Sequence, residues 1–349
     1  MEPQFDPQVR EKMKKNLVYV SIFSVIMLFA GLTSAYIVLM GDSFWVKHPL
    51  PNFFWLSTAT VGLSSITFVL AIRAAKQNQS SMLKSMMVLT TLLGVLFIFF
   101  QFKGYGELTT KGFHAANNHI MVVDGRYGDY FEVTMNGKPV NVNGNDFLVN
   151  GKKMTDQEFK SLQDFTSQFL DYERGKTMKV TKPNASIVLL MNKRPVILNN
   201  QEVYSPENVK FSHLDGLRLR YFAENIRDER GDFYARGKIG EDFHIYYKGE
   251  EIGYNEKRKL TYQGKELNAG LETKAIESAD SASSFLYIIT FVHLLHIIVA
   301  MIYLIKITIN SLSGRFNSEN NLALRTGAIF WHFLGFLWVY LLLFLIYIH

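Results

Sequence analysis

The sequence predicts an all-α membrane bundle of five transmembrane helices, with an α+β, strand-rich extramembrane domain inserted between the third and fourth helices. Two observations predict this fold. Five segments contain no Asp, Glu, Lys or Arg, and each is at or near the ~17–25 apolar residues that a helix needs to cross a bilayer. The stretch between the third and fourth segments is polar and has the size of one soluble domain. The five segments are 17–40, 53–72, 86–102, 285–305 and 328–348.

This pattern divides the chain into three expected parts. Residues 1–105 are expected to contain three helices, residues 106–282 to form the inserted domain, and residues 283–349 to contain two further helices. The inserted domain is close to neutral, with 25 Lys and Arg residues against 26 Asp and Glu residues, although the whole chain has a net charge of +6. The excess positive charge lies near the helix ends, where it sets topology instead of indicating a nucleic-acid partner. A single soluble enzyme is excluded.

The basic residues near the membrane predict the topology. They cluster at alternate helix ends: Arg10, Lys12, Lys14, Lys15, Arg73, Lys76, Lys84, Lys306, Arg315 and Arg325. The opposite ends have only Lys47 and Lys103 close by. The positive-inside rule therefore predicts a cytoplasmic N-terminus, with the insert and the C-terminus outside. The first segment is longer than the ~7–15 apolar residues of a secretory signal, so we expect it to be retained as an anchor.

Small and hydroxyl residues on the apolar segments predict how the helices pack. In lipid, helices associate through close contact of small residues and a few polar contacts. The candidates for such packing are Gly31, Ala35, Ser57, Ser64, Gly94 and Gly335.

Three histidines are the strongly polar titratable groups at membrane depth. His293 and His296 share a helix face on the fourth segment, and His332 lies on the fifth. Intramembrane ionisable groups are costly, so a functional or partner-bound role is the default hypothesis. The pair could ligate haem iron or copper, but we favour hydrogen-bonding struts or contacts with lipid headgroups. No apolar segment contains a carboxylate, which disfavours a proton path through this chain.

Five motifs carry a resemblance to a known family. The fourth segment contains T-F-V-H-L-L-H-I (290–297) and the fifth contains W-H-F-L-G-F-L-W (331–338). The first contains M-L-F…A-Y (27–36), the second S-T…S-S (57–65), and the third L-G…F…Q…Y (93–105). In this order the motifs resemble cytochrome c oxidase subunit III, whose corresponding runs include T-G-F-H-G-L-H-V and W-H-F-V-D-V-V-W. The resemblance covers 17–105 and 283–348, and lacks the first two of the family's seven helices.

The resemblance implies a role in a proton-pumping, aa3-like oxidase of a bacterial inner membrane. The family's subunit III carries no redox centre, packs against subunit I and holds phospholipid in a cleft. We therefore expect no catalytic centre and no cofactor in this chain, with haem and copper in partner subunits I and II. Candidate contacts with lipid or subunit I are His293, His296, Trp331, His332 and Trp338.

Three acidic positions of the family differ here. They correspond to Val25, Gly104 and Gly335, although Glu107 could partly replace the second. We interpret the loss as drift in a lineage that uses the subunit mainly as a scaffold.

The inserted domain predicts a small fold of hairpins with one clear helix. Asn-Gly pairs at 136–137, 143–144 and 150–151, with Lys248-Gly249 and Gln263-Gly264, predict tight turns. Runs 187–191 and 195–198 predict a hairpin across 192–194. Thr155 and Glu158 form a capping-box pattern before Phe159, Leu162, Phe165 and Phe169. The aromatic run from Phe233-Tyr234 to Phe243–Tyr247 is either strand core or a docking patch. No pattern typical of catalysis is present.

The resemblance gives no role to the insert, and three hypotheses remain for it. We favour a docking domain for a periplasmic electron donor, either cytochrome c or a quinol-oxidising respiratory complex; a cap that only braces the oxidase is the simpler alternative. Outside this family, a receptor or a transporter with a periplasmic ligand-binding domain would also place a folded insert there. The short internal loops disfavour a receptor, and the unbroken apolar segments disfavour a transporter.

Overall fold

The structure is a computed structural model, and it describes residues 7–116, 120, 127–128, 130–173, 176–231, 239–255 and 260–348. Its contacts divide the chain into two compact units. The first, the membrane unit, comprises Met1–Asn118, Ile245–Glu251 and Ala279–His349; the second, the insert unit, comprises His119–His244 and Ile252–Ser278.

The described residues form eight helices and thirteen strands. The helices are α1 (Pro7–Asp42), α2 (Asn52–Lys76), α3 (Ser80–Thr110), α4 (Asp156–Ser167), α5 (His213–Arg227), α6 (Ala269–Glu277), α7 (Ser281–Leu312) and α8 (Leu322–Tyr347). The strands are β1 (Phe44–Lys47), β2 (Phe131–Met135), β3 (Lys138–Asn143), β4 (Asp146–Val149), β5 (Lys152–Lys153), β6 (Ile187–Met191), β7 (Arg194–Pro195), β8 (Ile197–Asn199), β9 (Glu202–Tyr204), β10 (His244–Tyr247), β11 (Glu250–Tyr254), β12 (Leu260–Tyr262) and β13 (Lys265–Glu266).

The five predicted membrane segments all lie within long helices. α1, α2, α3, α7 and α8 are each long and apolar enough to span a membrane, which confirms the predicted fold class. α2 packs against α3 and α8, α3 packs against α7, and α1 packs against both α7 and α8. The strand-rich region lies between α3 and α7, as expected.

The helix ends differ from the predicted domain boundaries at 105/106 and 282/283. α3 continues to Thr110, and α7 begins at Ser281. The start of α7 is fixed by Asp280, which is fully buried and accepts hydrogen bonds from the Ser283 backbone N–H (3.0 Å) and hydroxyl (2.7 Å). Such a cap satisfies backbone donors that a helix start leaves free.

A strand and an aromatic cluster complete the membrane unit. β1 follows α1 and neighbours β10. Trp45 donates from Nε1 to the Tyr36 hydroxyl (3.2 Å), and Phe44 stacks on Tyr247 with ring centroids 4.4 Å apart. Lys47 Nζ lies 4.9 Å from the centroid of the Tyr246 ring. Partial burial of Lys47 lowers the pKa of its ammonium.

The insert unit is built on an antiparallel sheet with strand order β5-β4-β3-β2-β6-β7, beside the pair β8-β9. The predicted Asn-Gly turns are confirmed at 136–137 and 150–151, where both residues adopt positive φ. Such angles match the right-handed twist of the flanking strands.

The hairpin expected across 192–194 is shorter than predicted. Asn192 and Lys193 alone form the turn, both at positive φ, because Met191 pairs directly with Arg194. Pro195 still pairs with Leu190, and Val196 donates from its N–H to the Leu189 carbonyl (3.2 Å). Beyond them, residues 197–199 pair with 202–204 instead of β6.

Three helices occur in the insert unit, where the sequence predicted one. The capping box before α4 is confirmed, since the Thr155 hydroxyl accepts from the Glu158 N–H and the Glu158 carboxylate accepts from the Thr155 N–H. α5 has an equivalent box between Ser212 and Asp215. The sheet, α4 and α5 enclose one apolar core, which includes the predicted Leu162, Phe165 and Phe169.

The aromatic run near β10 is described only in part. Phe243, Ile245 and Tyr247 are buried, which favours strand core for this half. Phe233 and Tyr234 lie outside the described residues.

Candidate functional site

Two tryptophans join α8 to α2 at membrane depth. Trp331 donates from Nε1 to the Ser64 hydroxyl (2.9 Å), and Trp338 donates from Nε1 to the Thr58 hydroxyl (2.8 Å). Both indole rings are almost completely buried. Trp331 and Trp338 are seven residues apart on α8, and their acceptors Thr58 and Ser64 are six residues apart on α2. Both bonds therefore form along one face of each helix.

Hydroxyl and amide groups join α2 to α3 in the same way. Gln101 donates from Nε2 to the Ser57 hydroxyl (2.9 Å), and the Thr67 and Thr90 hydroxyls lie 2.8 Å apart. Together with the bonds to α8, these contacts make one continuous row of polar groups on α2, which we call the α2 seam. Buried polar groups in lipid require such partners.

Gly94 and Gly335, two of the predicted packing residues, differ in how closely neighbouring side chains surround them. A Cβ on Gly94 would lie 2.5 Å from Met301 Sδ and 3.0 Å from the Trp331 ring, so a larger residue there requires these side chains to shift. A Cβ on Gly335 would lie 3.5 Å from the side chains of Ser65 and Val61, which is ordinary contact.

The predicted packing residues of α1 have a different environment. Ala35 is exposed, and a Cβ on Gly31 would meet nothing within 4 Å in the described part of the chain. Their role in helix packing therefore stays a prediction, and it would require a surface outside this chain.

The structure gives a physical reason for one lost carboxylate. A Cβ on Gly104 would lie 2.5 Å from the Phe54 ring, so a glutamate does not fit at that position. Glu107 lies one turn later and accepts hydrogen bonds from the Asn52 N–H (2.9 Å) and the Lys111 ammonium (3.0 Å). It therefore caps the start of α2.

His293 is enclosed by aromatic rings. Its ring is stacked on Trp338, with centroids 5.5 Å apart and an interplanar angle of 25°. The edges of Phe29 (6.3 Å) and Phe97 (6.2 Å) surround it. The side chain is fully buried, and neither ring nitrogen has a hydrogen-bond partner among the described residues.

His296 has a partner on its own helix. Its Nδ1 lies 2.7 Å from the Val292 carbonyl oxygen, and Phe29 contacts its ring as it contacts that of His293. One partner thus meets both rings, as the spacing predicted, and that partner is a phenyl ring. In the described part of the chain, no three His, Cys, Asp or Glu side chains are grouped in a way that could hold a metal ion.

His332 lines an apolar groove between α2 and α8. This α2–α8 groove has a volume of about 640 Å³, and Arg73 lies at one end of it. Its other lining residues are Thr58, Val61, Gly62, Ser65, Ile66, Val69, Leu70, Gly335, Phe336 and Val339.

A second groove of about 500 Å³ lies between α1, α7 and α8. Lys14 lines it together with Tyr303, Thr326 and Phe330. Each groove therefore combines apolar walls with one basic side chain.

The burial of three residues differs from their predicted role. Trp331, Trp338 and His293 were expected to contact lipid or another subunit, but they lie inside the bundle. The indole rings of Trp331 and Trp338 turn inward, where the α2 seam offers acceptors that lipid lacks. His296 and His332 are only partly buried, so an outside contact stays a prediction for them.

These features define the class: a multi-pass membrane protein whose polar groups at membrane depth hold helices together, with a folded domain inserted between its spans. Residues 270–349, which contain α7 and α8, match the family model of cytochrome c oxidase subunit III, and the five apolar helices fit that family. This confirms the predicted resemblance. The match supports a subunit III-like role in the oxidase complex and implies assembly with other oxidase subunits. No curated protein matches the chain.

Proposed function

We propose that this chain is the non-redox, stabilising subunit III of an aa3-like cytochrome c oxidase in a bacterial inner membrane. Its N-terminus is cytoplasmic, and its insert and C-terminus are periplasmic. It supports subunit I and bound phospholipid, while haem and copper reside in the partner subunits. The family match at 270–349 carries this proposal.

The chemistry of the membrane unit is consistent with a scaffold. The five apolar segments contain no carboxylate. The hydroxyls of the α2 seam and the indole groups of α8 bond to one another, which fixes helix positions. Proton relays in membranes use chains of Asp, Glu and His instead. Proton translocation and oxygen reduction therefore belong to the partner subunits.

Gentle purification tests this assignment. We expect the affinity-tagged chain, purified from its native membrane in mild detergent, to carry a haem-bearing partner that is visible in a reduced-minus-oxidised spectrum. The same chain expressed without the other subunits should show no haem absorbance. Absence of haem from the native complex, or haem retained by the isolated chain, would contradict the proposal.

The insert unit is proposed to dock a periplasmic electron donor or a neighbouring respiratory complex. It is a folded domain with its own apolar core, much larger than a helix connection requires. Residues 106–282 are nearly neutral, so they do not steer a basic carrier over long distances. A specific contact of ordinary size, roughly 1,200–2,000 Å² in total, fits such a surface better.

A replacement that respects the two units tests docking. His119–His244 and Ile252–Ser278 are each replaced by a Gly/Ser linker, which leaves 245–251, Glu107 and Asp280 in place. Docking predicts an oxidase that assembles and turns over with an artificial donor, yet no longer co-purifies with the donor complex. Unchanged association would refute docking, and loss of the oxidase core itself would refute it in favour of a bracing role.

A further inference from the structure

We propose that the core of the membrane unit contains a binding site for one water molecule, held between the side-chain carbonyl oxygen of Gln101 and the imidazole of His293. The water joins α7 to the α2 seam. This inference goes beyond the proposed function, because it depends only on how the helices of the membrane unit pack against one another.

The site is defined by two buried side chains whose polar atoms have no partner among the described residues. His293 is fully buried, and neither of its ring nitrogens forms a hydrogen bond there. Gln101 is fully buried as well. Its Nε2 donates to the Ser57 hydroxyl (2.9 Å), but its Oε1 accepts from none of the described residues. Buried polar groups are almost always hydrogen-bonded to protein or to ordered water, so each of these two requires a partner.

The contacts between α3 and α7 fix the register of these two helices. The Tyr105 hydroxyl donates to the Thr290 hydroxyl (3.2 Å), and a Cβ on Gly94 would lie 2.5 Å from Met301 Sδ. Gly94 precedes Tyr105 on α3 by the same number of residues by which Met301 follows Thr290 on α7. The helices are therefore antiparallel, and each residue back along α3 corresponds to one residue forward along α7.

This register brings Gln101 and His293 to the same depth. Gln101 precedes Tyr105 by four residues and so lies opposite position 294, one residue or about 1.5 Å from His293 along the helix axis. Phe97, one turn before Gln101 on the same face of α3, contacts the His293 ring edge-on with centroids 6.2 Å apart. Gln101 therefore lies between two residues of α3 that both contact this part of α7.

The Trp338 indole adjoins both side chains. Its ring stacks on His293 with centroids 5.5 Å apart, and its Nε1 donates to the Thr58 hydroxyl (2.8 Å). The next residue along α2 is Ser57, which accepts from Gln101. The amide and the imidazole are thus neighbours beside one indole ring in the core.

Water is the ligand whose chemistry matches these two groups. A buried water typically makes two to four hydrogen bonds. It can donate to Gln101 Oε1, and it can donate to one nitrogen of an imidazole or accept from the other. A metal ion does not match, because the described residues contain no group of three His, Cys, Asp or Glu side chains that could hold one.

A double-mutant cycle on the full-length chain, melted in detergent, tests whether the two side chains share one ligand. His293→Leu and Gln101→Met should each lower the melting temperature by about 2–4 °C, because each leaves the other polar group buried with its network broken. The double variant should melt no lower than the less stable single variant, since both groups are then removed together. A higher melting temperature for His293→Leu than for the wild type, or single effects that add in the double variant, would overturn the proposal.

Thr90→Val is the matched control for the cycle. It removes a hydroxyl that lies 2.8 Å from that of Thr67 in the same α2 seam, about three turns of α3 from Gln101. Side chains this far apart with no shared partner act independently, so its effect and that of His293→Leu should add. Equal coupling of His293 to Thr90 and to Gln101 would contradict a shared ligand.

A direct measurement on the wild type decides the question even where a variant does not fold. In the full-length chain with isotope-labelled histidine in lipid nanodiscs, nuclear magnetic resonance should show magnetisation transfer from water to the His293 ring, assigned by its absence from His293→Asn. The transfer should be lost in Gln101→Met. A wild-type His293 ring that receives no magnetisation from water would overturn the proposal. Neither readout involves haem, so failure of the water site and failure of the proposed function are distinguishable.

Discussion

The membrane unit and the insert unit distribute polar and apolar groups in opposite ways. In the membrane helices, many large apolar side chains face outward, while Ser64, Thr67 and Gln101 are buried and bond across helices. In the insert unit, apolar side chains form the core. The difference follows from the solvent. Lipid tails are as apolar as a leucine side chain, so burying leucine between membrane helices gives no hydrophobic stabilisation, and hydrogen bonds and close contacts select the partners of each helix. In water, the burial of apolar side chains selects which elements of the insert unit pack together.

The largest expected effect tests the apolar core of the insert unit. Phe169 is fully buried and packs edge-on against Phe165, with centroids 5.7 Å apart. Phe169→Ala should lower the free energy of unfolding of the insert by about 3–5 kcal/mol. Hydrogen exchange of α4 in the full-length chain measures this. Leu198→Ala, at a half-exposed site, is the control and should change little. Equal loss of protection in both variants would contradict a single core.

A smaller effect is expected for overpacking in the membrane unit. Gly94→Leu places atoms where Met301 and the Trp331 ring already lie, so these side chains or α3 itself must shift. We expect destabilisation of about 1–3 kcal/mol, visible as a lower melting temperature in detergent. Gly31→Leu adds the same side chain where space is open and should melt like the wild type. If both variants melted alike, close helix contact would not be the stabilising element.

The smallest effect concerns the capping box of α4. Thr155→Ala should cost about 1 kcal/mol, measured by hydrogen exchange of the first turn. The Thr155 N–H and hydroxyl donate to the Glu158 carboxylate, which holds its pKa below the usual 4.5. Because the folded pKa is lowered, the carboxylate stabilises the cap above the unfolded pKa, and this stabilisation is lost as pH falls through the folded value. The difference between variant and wild type should therefore shrink on acidification; a constant difference would assign the effect to the threonine hydroxyl alone.

The positions of the membrane helices could be predicted from the sequence because lipid demands long uncharged segments. The ends of these helices could not be predicted in the same way. α3 extends beyond its uncharged segment, through Lys103 and Glu107 to Thr110, because side-chain and backbone hydrogen bonds stabilise its last turns despite the charged residues. In the insert unit, α5 was missed although its signals were present. Ser212 and Asp215 form a capping pattern, and Leu219, Phe222, Ala223 and Ile226 follow at helical spacing.

The candidate site was only partly predictable. Helical spacing identified the polar faces of α2 and α8, but a face does not name its partner. The resemblance placed Trp331 and Trp338 among the candidate contacts with lipid or subunit I, whereas their indole groups bond to Ser64 and Thr58 inside the bundle. The α2–α8 groove depends on how two helices are rotated about their axes, and no local pattern in either helix encodes that.

The two ends of the insert unit meet at one backbone hydrogen bond, from the Ile120 N–H to the Ser278 carbonyl (2.6 Å). During folding, this closure affects how readily α3 and α7 come into contact. A flexible connection of this length would add loop-closure entropy to each of their contacts. Once the insert has folded, its ends are already together, so the connection behaves kinetically as a short turn. Contacts such as Tyr105 with Thr290 (3.2 Å), 185 residues apart in sequence, thereby become local events in the assembly of the bundle.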